Sequence, residues 1–232
     1  MFTTFDMNRK LEMINSFLIL AQFYHSEARI PELFLPVTMA IRSSLAFRLH
    51  NDDTNCKKVF LKPPTCDLER EQRRRLFWFA YVQDQIYSMK SGVMNNVHED
   101  DIFVELPCTS QEYYTADIYT SIPRNNQHVY DQDFFTNHPK ADGFIFVIKS
   151  SILLAKVARW RHRSAFEAKR ANVQSASSLP SFKELDSLIM DYKASIPIEW
   201  SDSVQIVEGG LNVEILLAHY IGARAMTMLR KF

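Results

Sequence analysis

The sequence predicts an all-α protein, arranged as an irregular multi-helix bundle around a central apolar helix at about residues 67–91. Two observations support this prediction. Apolar residues recur at three- and four-residue spacing in five or six long stretches, and this spacing places them on one face of a helix. No stretch shows the sustained apolar and polar alternation of a half-buried strand.

The first two helices are predicted at Met7–Ala28 and Pro36–Leu49. The first contains a buried stripe at Leu11, Ile14, Leu18 and Ala21. Pro36 suits the first turn of the second helix, because an N–H at that position would have no helical partner. The following residues up to Cys66 include Pro63 and Pro64 and are predicted to form a surface loop.

The third helix is predicted at Asp67–Ser91. It begins with charged residues and then becomes apolar on every face from Leu76 to Val82. A helix without a polar face must be surrounded by other elements, so this helix is expected to be the central one. Gly92 is expected to end it.

Residues 93–140 are predicted to be mostly loop with short helical pieces, because a loop of this length is uncommon in a compact domain. The fourth helix is predicted at Ala141–Arg163. Its β-branched and aromatic residues at 144–148 also suit a strand, but the pattern that follows has helical spacing over a length that no strand reaches.

Residues 164–180 are serine-rich and are predicted to be a flexible connection. Ser181 and Glu184 fit a capping box that starts the fifth helix, and Pro197 ends it. The last helix is predicted to begin near Asn212 and to continue to the end of the chain.

Composition excludes several classes of function. The chain has 27 basic and 27 acidic residues and a net charge of zero, which disfavours direct binding to nucleic-acid phosphates. With five glycines, no dinucleotide-binding, P-loop or nucleophile-elbow motif can be assembled. Its cysteines, Cys56, Cys66 and Cys108, are too widely spaced for a zinc site of their own. The longest apolar run is too short to cross a membrane.

Three consecutive arginines, Arg73, Arg74 and Arg75, precede the apolar run of the third helix. Consecutive helical residues point about 100° apart, so at least one guanidinium must face the interior. A buried charge there needs a carboxylate partner. Asp84, further along the same helix, is too distant to pair with Arg73, so we expect each charge to find its partner on another helix. The alternative is an exposed basic turn.

A second basic pattern lies in the fourth helix, where Lys149, Lys156 and Arg163 recur every seven residues. This stripe is interpreted as a solvated face whose cations favour the C-terminal end of the helix. The alternative is a surface that receives an acidic partner.

The arginine run is part of a longer pattern, Glu71-Gln72-Arg73-Arg74-Arg75-Leu76-Phe77-Trp78 followed by Tyr81 and Asp84. It is preceded by Ala40-Ile41-Arg42 and Arg48-Leu49-His50. It is followed by Gly92, Asp100-Asp101-Ile102, Leu106-Pro107, Phe182 with Leu185-Asp186, and Ile196-Pro197 with Trp200. This set of motifs resembles the middle homology region of fungal binuclear zinc cluster transcription factors. Two positions depart from that pattern: Arg48 replaces a glycine, and Val93-Met94 replace Arg-Pro.

The resemblance implies a single regulatory domain over residues 1–232, truncated at both ends, in a nuclear factor that controls transcription by RNA polymerase II. It implies that the chain is not an enzyme and holds no cofactor, because zinc and DNA binding belong to an N-terminal six-cysteine module that these residues lack. The implied partners are other segments of a parent factor, a regulatory protein or a small-molecule effector, and not a membrane. The implied structural and regulatory residues are His50, Arg73, Arg74, Arg75, Phe77, Trp78, Tyr81, Asp84 and Gly92.

Two other functions remain open from the sequence. One is a helical enzyme that acts on an apolar substrate in the aromatic interior. The other is a truncated product without a function of its own.

Overall fold

The computed structural model describes residues 7–51, 61–91, 96–207 and 210–231, and these residues form the predicted all-α fold. The helices are α1 (Met7–Ser26), α2 (Ile30–Ala46), α3 (Asp67–Ser91), α4 (Ser110–Tyr114), α5 (Gly143–Arg170), α6 (Pro180–Ser195) and α7 (Val213–Arg230). A small antiparallel pair, β1 (Ile206–Val207) and β2 (Gly210–Leu211), was not predicted. The chain divides into two compact units, unit 1 up to Tyr130 and unit 2 from Asp131.

Unit 1 is built around α3, which packs against α1 and α2. Phe77, Trp78 and Tyr81 are fully buried, so the prediction of a central apolar helix is confirmed for this unit. Phe79, however, is 38% exposed, and α3 is therefore not enclosed on every side. The predicted stripe of α1 is buried at Ile14, Leu18 and Ala21.

The predicted start of α2 is wrong. The helix begins at Ile30, with Pro31 in its first turn, and Pro36 is buried inside it. The helix contains a second proline, Pro31, which the prediction did not consider. Pro31 loses no helical hydrogen bond, whereas Pro36 removes one from the interior of α2.

The end of α2 explains the glycine that the resembled family has at position 48. Arg48 has a φ of +60°, a left-handed conformation that favours glycine. Its N–H donates to the carbonyl of Leu45, and the N–H of Leu49 donates to the carbonyl of Ser44. This pair of bonds is a Schellman motif, which ends the helix before the predicted boundary.

The region after α3 contains the short helical pieces that the sequence predicts. Residues Glu99–Asp101 form one turn of 3-10 helix, and α4 follows. A capping box begins α4, in which the Thr109 hydroxyl accepts from the Glu112 N–H and the Glu112 carboxylate accepts from the Thr109 N–H.

Unit 2 is built around α5, which packs against α6 and α7. One continuous helix includes residues 144–148, so their helical interpretation is confirmed, and residues 143–155 are all buried. Gly143 permits close packing against α7, since a Cβ at this position would lie 2.7 Å from the Cβ of Glu214. The helix continues to Arg170, and residues 164–170 of the predicted connection are therefore helical.

The predicted capping box of α6 is wrong. Leu179 is the N-cap, Pro180 occupies the first turn, and no side chain caps the helix. The Ser181 hydroxyl instead accepts a 2.9 Å hydrogen bond from Trp160 Nε1. The predicted start of α7 is confirmed, because the Asn212 side chain accepts from the N–H of Ile215.

Candidate functional site

The candidate site lies in unit 1, where α3 changes from charged to apolar. Arg74 is the arginine that faces the interior, and its side chain is 3% exposed. Its Nη1 donates to Glu71 Oε2 at 2.6 Å, and its Nη2 lies 3.5 Å from Glu105 Oε2. The buried arginine therefore lies between two carboxylates, both of which are also buried.

Arg73 and Arg75 point to either side of Arg74. Arg73 donates to Glu69 Oε1 at 2.6 Å and to the carbonyl of Lys62 at 2.8 Å. Arg75 Nη2 donates to the carbonyl of Cys108 at 2.9 Å. The three guanidinium groups therefore diverge as the helical geometry predicts: Arg73 reaches the carbonyl of Lys62, whereas Arg74 and Arg75 both reach residues 105–108.

The guanidinium of Arg75 also stacks on the ring of Tyr113, 4.5 Å from its centroid. Tyr113 belongs to α4. A cation over an aromatic face is attracted by the ring quadrupole. This contact connects the arginine cluster to the short helix that follows residues 105–108.

Residues 105–108, which we call the clasped segment, are held against α3 by polar contacts. Glu71 Oε1 accepts a 2.9 Å hydrogen bond from the N–H of Cys108. Trp78 Nε1 donates to the carbonyl of Glu105 at 2.8 Å. Together with the Arg75 bond, these contacts satisfy backbone groups that are buried and belong to neither a helix nor a sheet.

A second layer of polar side chains holds the other side of the clasped segment. Arg124 binds the Glu105 carboxylate as a fork, with Nε 3.0 Å from Oε2 and Nη2 2.5 Å from Oε1. Asn125 Nδ2 donates to the carbonyl of Pro107 at 2.8 Å. A bidentate arginine pair is among the stronger and more directional polar contacts. The clasped segment is therefore fixed from both sides.

The expectation that the buried arginine pairs with another helix is wrong. Arg74 pairs with Glu71 one turn earlier on α3 and with Glu105 in the clasped segment. A residue three positions earlier lies on the same helical face, so the side chains of Glu71 and Arg74 are buried together. The polar contacts of Arg74 thus lie within α3 and with a non-helical segment, whereas the stacking of Arg75 on Tyr113 is the contact of this cluster with another helix.

Asp84 also lacks the helical partner that was expected. Its Oδ2 accepts from the N–H of Asn96 at 3.0 Å, and its Oδ1 accepts from Asn96 Nδ2 at 2.6 Å. Burial raises the pKa of this carboxyl, although the hydrogen bonds from Asn96 oppose the rise. Asp84 therefore anchors the chain just after residues 92–95. Gly92, the predicted helix terminator, lies outside the described residues.

The aromatic residues of the motif and His50 lie together beneath this polar layer. The rings of Phe77 and Trp78 are 5.3 Å apart, and Trp78 meets Tyr81 edge-on at 5.7 Å. The His50 ring lies 6.3 Å from Phe77, and burial lowers its pKa, with a further lowering by Arg48. The His50 carbonyl accepts the N–H groups of residues 103 and 104. His50 therefore joins the end of α2 to the segment that precedes the clasped segment.

Sequence reasoning missed a buried polar cluster in unit 2. Lys149 is fully buried, and its Nζ lies 2.8 Å from the carbonyl of Asn137 and 3.0 Å from His138 Nδ1. His138 Nε2 lies 3.0 Å from Ser195 Oγ. Interpreting Lys149 as part of a solvated stripe is therefore wrong. The available signal was its position inside the apolar run that extends from Phe144 to Val157.

Electrostatics in this cluster favour neutral groups. Burial lowers the pKa of Lys149 to about 7, opposed by the charge of Asp133. Burial, together with the charge of Lys149, lowers the pKa of His138 to about 4. If Lys149 donates to Nδ1, His138 carries its proton on Nε2 and donates to Ser195. The cluster is thus a chain of hydrogen bonds that tethers residues 137–138 to α5 and α6.

The described cysteines do not fit a zinc cluster. Burial raises the pKa of Cys108 to about 12, and the charge of Glu71 adds to this effect. Such a group is a neutral thiol at ordinary pH. Within the described ranges, the side chains of metal-binding type that lie together are His98, Glu99 and Asp100, a set without cysteine. His98 Nδ1 already accepts from the N–H of Asp100.

Comparisons with known proteins agree with the motifs. A family model described as the fungal specific transcription factor domain matches residues 1–194. The ABC-transporter-regulating transcription factors of Aspergillus fumigatus and Aspergillus oryzae are each 24% identical over 226 residues, which cover 97% of this chain and 22% of each relative. The citrinin biosynthesis transcriptional activator of Monascus ruber is 28% identical over 103 residues, covering 44% of this chain and 20% of that protein.

The chain thus spans about a fifth of the length of the curated relatives it matches. No solved structure matches it. In the part of the chain that the structure describes, no helix combines the length and apolar character needed to cross a membrane.

Proposed function

The chain belongs to the family of fungal specific transcription factor domains, and from this premise we propose that it is the regulatory domain of a fungal transcription factor that controls transcription by RNA polymerase II. The observation that carries the proposal is the family match over residues 1–194. This range contains unit 1 and, in unit 2, α5 and nearly all of α6. The candidate site is therefore inside the matched region.

The family and the relatives are transcription factors and not enzymes. Lys149, His138 and Ser195 are the described groups whose arrangement most resembles a catalytic cluster. Lys149, however, is fully buried, and Ser195 Oγ donates to the backbone carbonyls of Phe135 and Tyr192. Groups used in this way hold the chain in place.

The geometry of the site supports a mechanism in which the contacts between α3 and the clasped segment are made and broken. The clasped segment is held on α3 by charged groups that need one another, because Arg74, Glu71 and Glu105 are all buried. A buried ion network of this kind is stable when complete and costly when one member is missing. An effector or partner that separates the clasped segment from α3 would therefore shift unit 1 between two discrete states.

In this proposal residues 1–232 act as one domain of a larger nuclear protein. Zinc and DNA binding belong to a module elsewhere in that protein, since the described cysteines do not fit a zinc cluster. The partners are other segments of the parent factor, a regulatory protein or a small-molecule effector. The relatives' names, which refer to transporter regulation and citrinin biosynthesis, support a role in controlling the genes of a transport or biosynthetic process.

A reporter assay tests the regulatory role. The 232-residue chain is placed between a heterologous DNA-binding module and an activation segment in a fungal reporter strain, and a flexible linker of equal length serves as the control. A regulatory domain changes reporter output several-fold relative to the linker at equal protein abundance. An output equal to that of the linker contradicts the proposal.

Two variants refine the assay. Arg74→Ala removes a buried member of the ion network, and Arg70→Ala removes a half-exposed arginine of the same helix that pairs with Asp67. We expect the first variant to move reporter output toward the linker value and the second to behave as the parent. Equal output from both variants would show that the contacts of the clasped segment do not affect regulation.

A further inference from the structure

The C-terminal half of α5 carries an exposed face that the proposed function does not explain. It consists of His162, Arg163, Phe166, Lys169 and Arg170, which we call the basic–aromatic face. All five side chains are exposed, and the phenyl group of Phe166 is 70% exposed. Cations and a large apolar group thus share one solvent-facing surface.

Helical geometry places the five residues side by side. At 3.6 residues per turn they fall within an arc of about 120°, with Phe166 near its centre. Ser164 and Ala168 are buried and lie on the opposite side of α5. The face is therefore held outward by the packing of the helix behind it.

The helix dipole accounts for only part of this charge. Cations in the last turn are favoured by the carbonyls there, which explains Lys169 and Arg170. Arg163 lies about two turns earlier, beyond the range of that effect. Like charges close together on one helix repel one another, and a single acid, Glu167, lies between residues 159 and 170.

We propose that the basic–aromatic face of α5 is a docking surface for an acidic peptide segment that carries apolar side chains. The positive charge of the face favours an anionic partner. The exposed phenyl ring of Phe166 is stabilised when an apolar side chain of that partner covers it. The proposal rests on the proposed regulatory function and deepens it by naming a class of partner. An acidic activation segment has this composition.

A nucleic acid is the less suitable anion. The chain as a whole has no net charge, so it lacks the long-range field that concentrates a polyanion at a protein surface. A duplex presents phosphates at its surface and no apolar group that would cover Phe166. A peptide with alternating acidic and apolar residues can pair with the cations of the face and also cover Phe166.

Fluorescence anisotropy with the full 232-residue chain tests the proposal. The probe is a labelled acidic peptide with interspersed leucine and phenylalanine, and its partner probe is the same peptide with every apolar residue replaced by serine. A labelled single-stranded oligothymidine of similar charge is the third probe. We expect saturable binding of the first peptide, at least tenfold weaker binding of the second, and weakening of the first by added salt.

Charge-reversal and aromatic variants locate the surface. Arg163→Glu combined with Arg170→Glu is expected to weaken binding at least tenfold, and Phe166→Ser at least threefold. Matched controls outside the face are Lys193→Glu, which alters an exposed lysine of α6, and Tyr119→Ser, which alters a tyrosine that is 88% exposed. All substituted groups are exposed, so the variants should melt as the parent does, and circular dichroism checks this.

Three outcomes overturn the proposal: no saturable binding of the acidic–apolar peptide, equal losses in the face and control variants, or oligothymidine binding that is as tight as peptide binding and is weakened by the face variants. The last result would assign the face to nucleic acid. The assay is independent of reporter output, so failure of this proposal and failure of the regulatory function are distinguishable.

Discussion

The N–H of Cys108 donates a 2.9 Å hydrogen bond to Glu71 Oε1 across a separation of 37 residues. The other oxygen of the same carboxylate accepts from Arg74 at 2.6 Å. One buried side chain of α3 therefore neutralises an interior arginine and satisfies a backbone donor of the clasped segment. Side chains of α3, together with Arg124, Asn125 and one backbone bond from Leu106 to Gln127, therefore set the position of that segment.

Arg74→Ala should destabilise the chain by about 3 kcal/mol, the lower end for breaking a buried ion pair, because Glu71 and Glu105 lose their shared cation while Arg75 and Arg124 still face them. Arg70→Ala on the same helix should cost no more than about 1 kcal/mol, since its pair with Asp67 is half-exposed. Urea unfolding measures both. Equal losses would mean that Arg74 is as solvated as Arg70.

The contact between Asp84 and Asn96 should appear as a coupling free energy. Asp84→Ala should destabilise the chain by about 1–3 kcal/mol, because the N–H of Asn96 loses its acceptor. A double-mutant cycle with Asn96→Ala should give a coupling of at least about 0.5 kcal/mol. Strictly additive effects would show that the two side chains act independently.

Arg48→Gly should stabilise the chain by about 0.5–1 kcal/mol. The left-handed backbone at this position costs a side-chain-bearing residue about 1–2 kcal/mol, and the greater freedom of glycine in the unfolded chain offsets part of that gain. Thermal unfolding measures the change. Phe47→Gly, one residue earlier at a φ of −83°, is the control and should destabilise. A lower melting temperature for Arg48→Gly would contradict the assigned backbone.

Lys149 should make stability depend on pH. Its pKa in the folded chain, about 7, lies below the ordinary value of 10.5, so the unfolded chain binds more protons between these values. Stability should therefore rise from pH 7 toward about pH 9, by at most about 1.4 kcal/mol per pH unit, because above that range the raised pKa of Cys108, about 12, has the opposite effect. Lys149→Met should remove this rise, whereas Lys183→Met, at an exposed position of α6, should retain it.

The pH range separates Lys149 from His138. The folded pKa of His138, about 4, lies below 6.5, so its contribution to stability rises with pH between about 4 and 6.5. Urea titrations at about pH 7.5, 8 and 8.5 therefore report Lys149 with His138 largely neutral in both states. An unchanged slope in Lys149→Met would contradict the buried, neutral amine.

Local patterns in the sequence predicted the fold class and the inward-facing arginine of the site. The apolar spacing of α1 and α3 identified the buried faces, and the 100° helical step required one of three arginines to turn inward. Arg74 is that residue. Such arguments succeed because they depend on one helix at a time.

Partners that come from distant parts of the chain could not be predicted in this way. Glu105 directly precedes the Leu106-Pro107 pair, but nothing in its local pattern indicates that it is buried against Arg74. Lys149 was assigned to a solvated stripe because its seven-residue spacing was given more weight than its apolar neighbours. The start of α6 was misplaced because Ser181 binds Trp160, a tertiary contact, and Pro180 occupies the first turn.

Hydrogen exchange of the Cys108 amide tests the central claim most directly. If Glu71 holds the clasped segment on α3, this amide should exchange as slowly as the core amides of α3, although it belongs to no helix or strand. Exchange at the rate of an unstructured peptide would show that the clasped segment is free of α3, and the mechanism built on the buried ion network would fail with it.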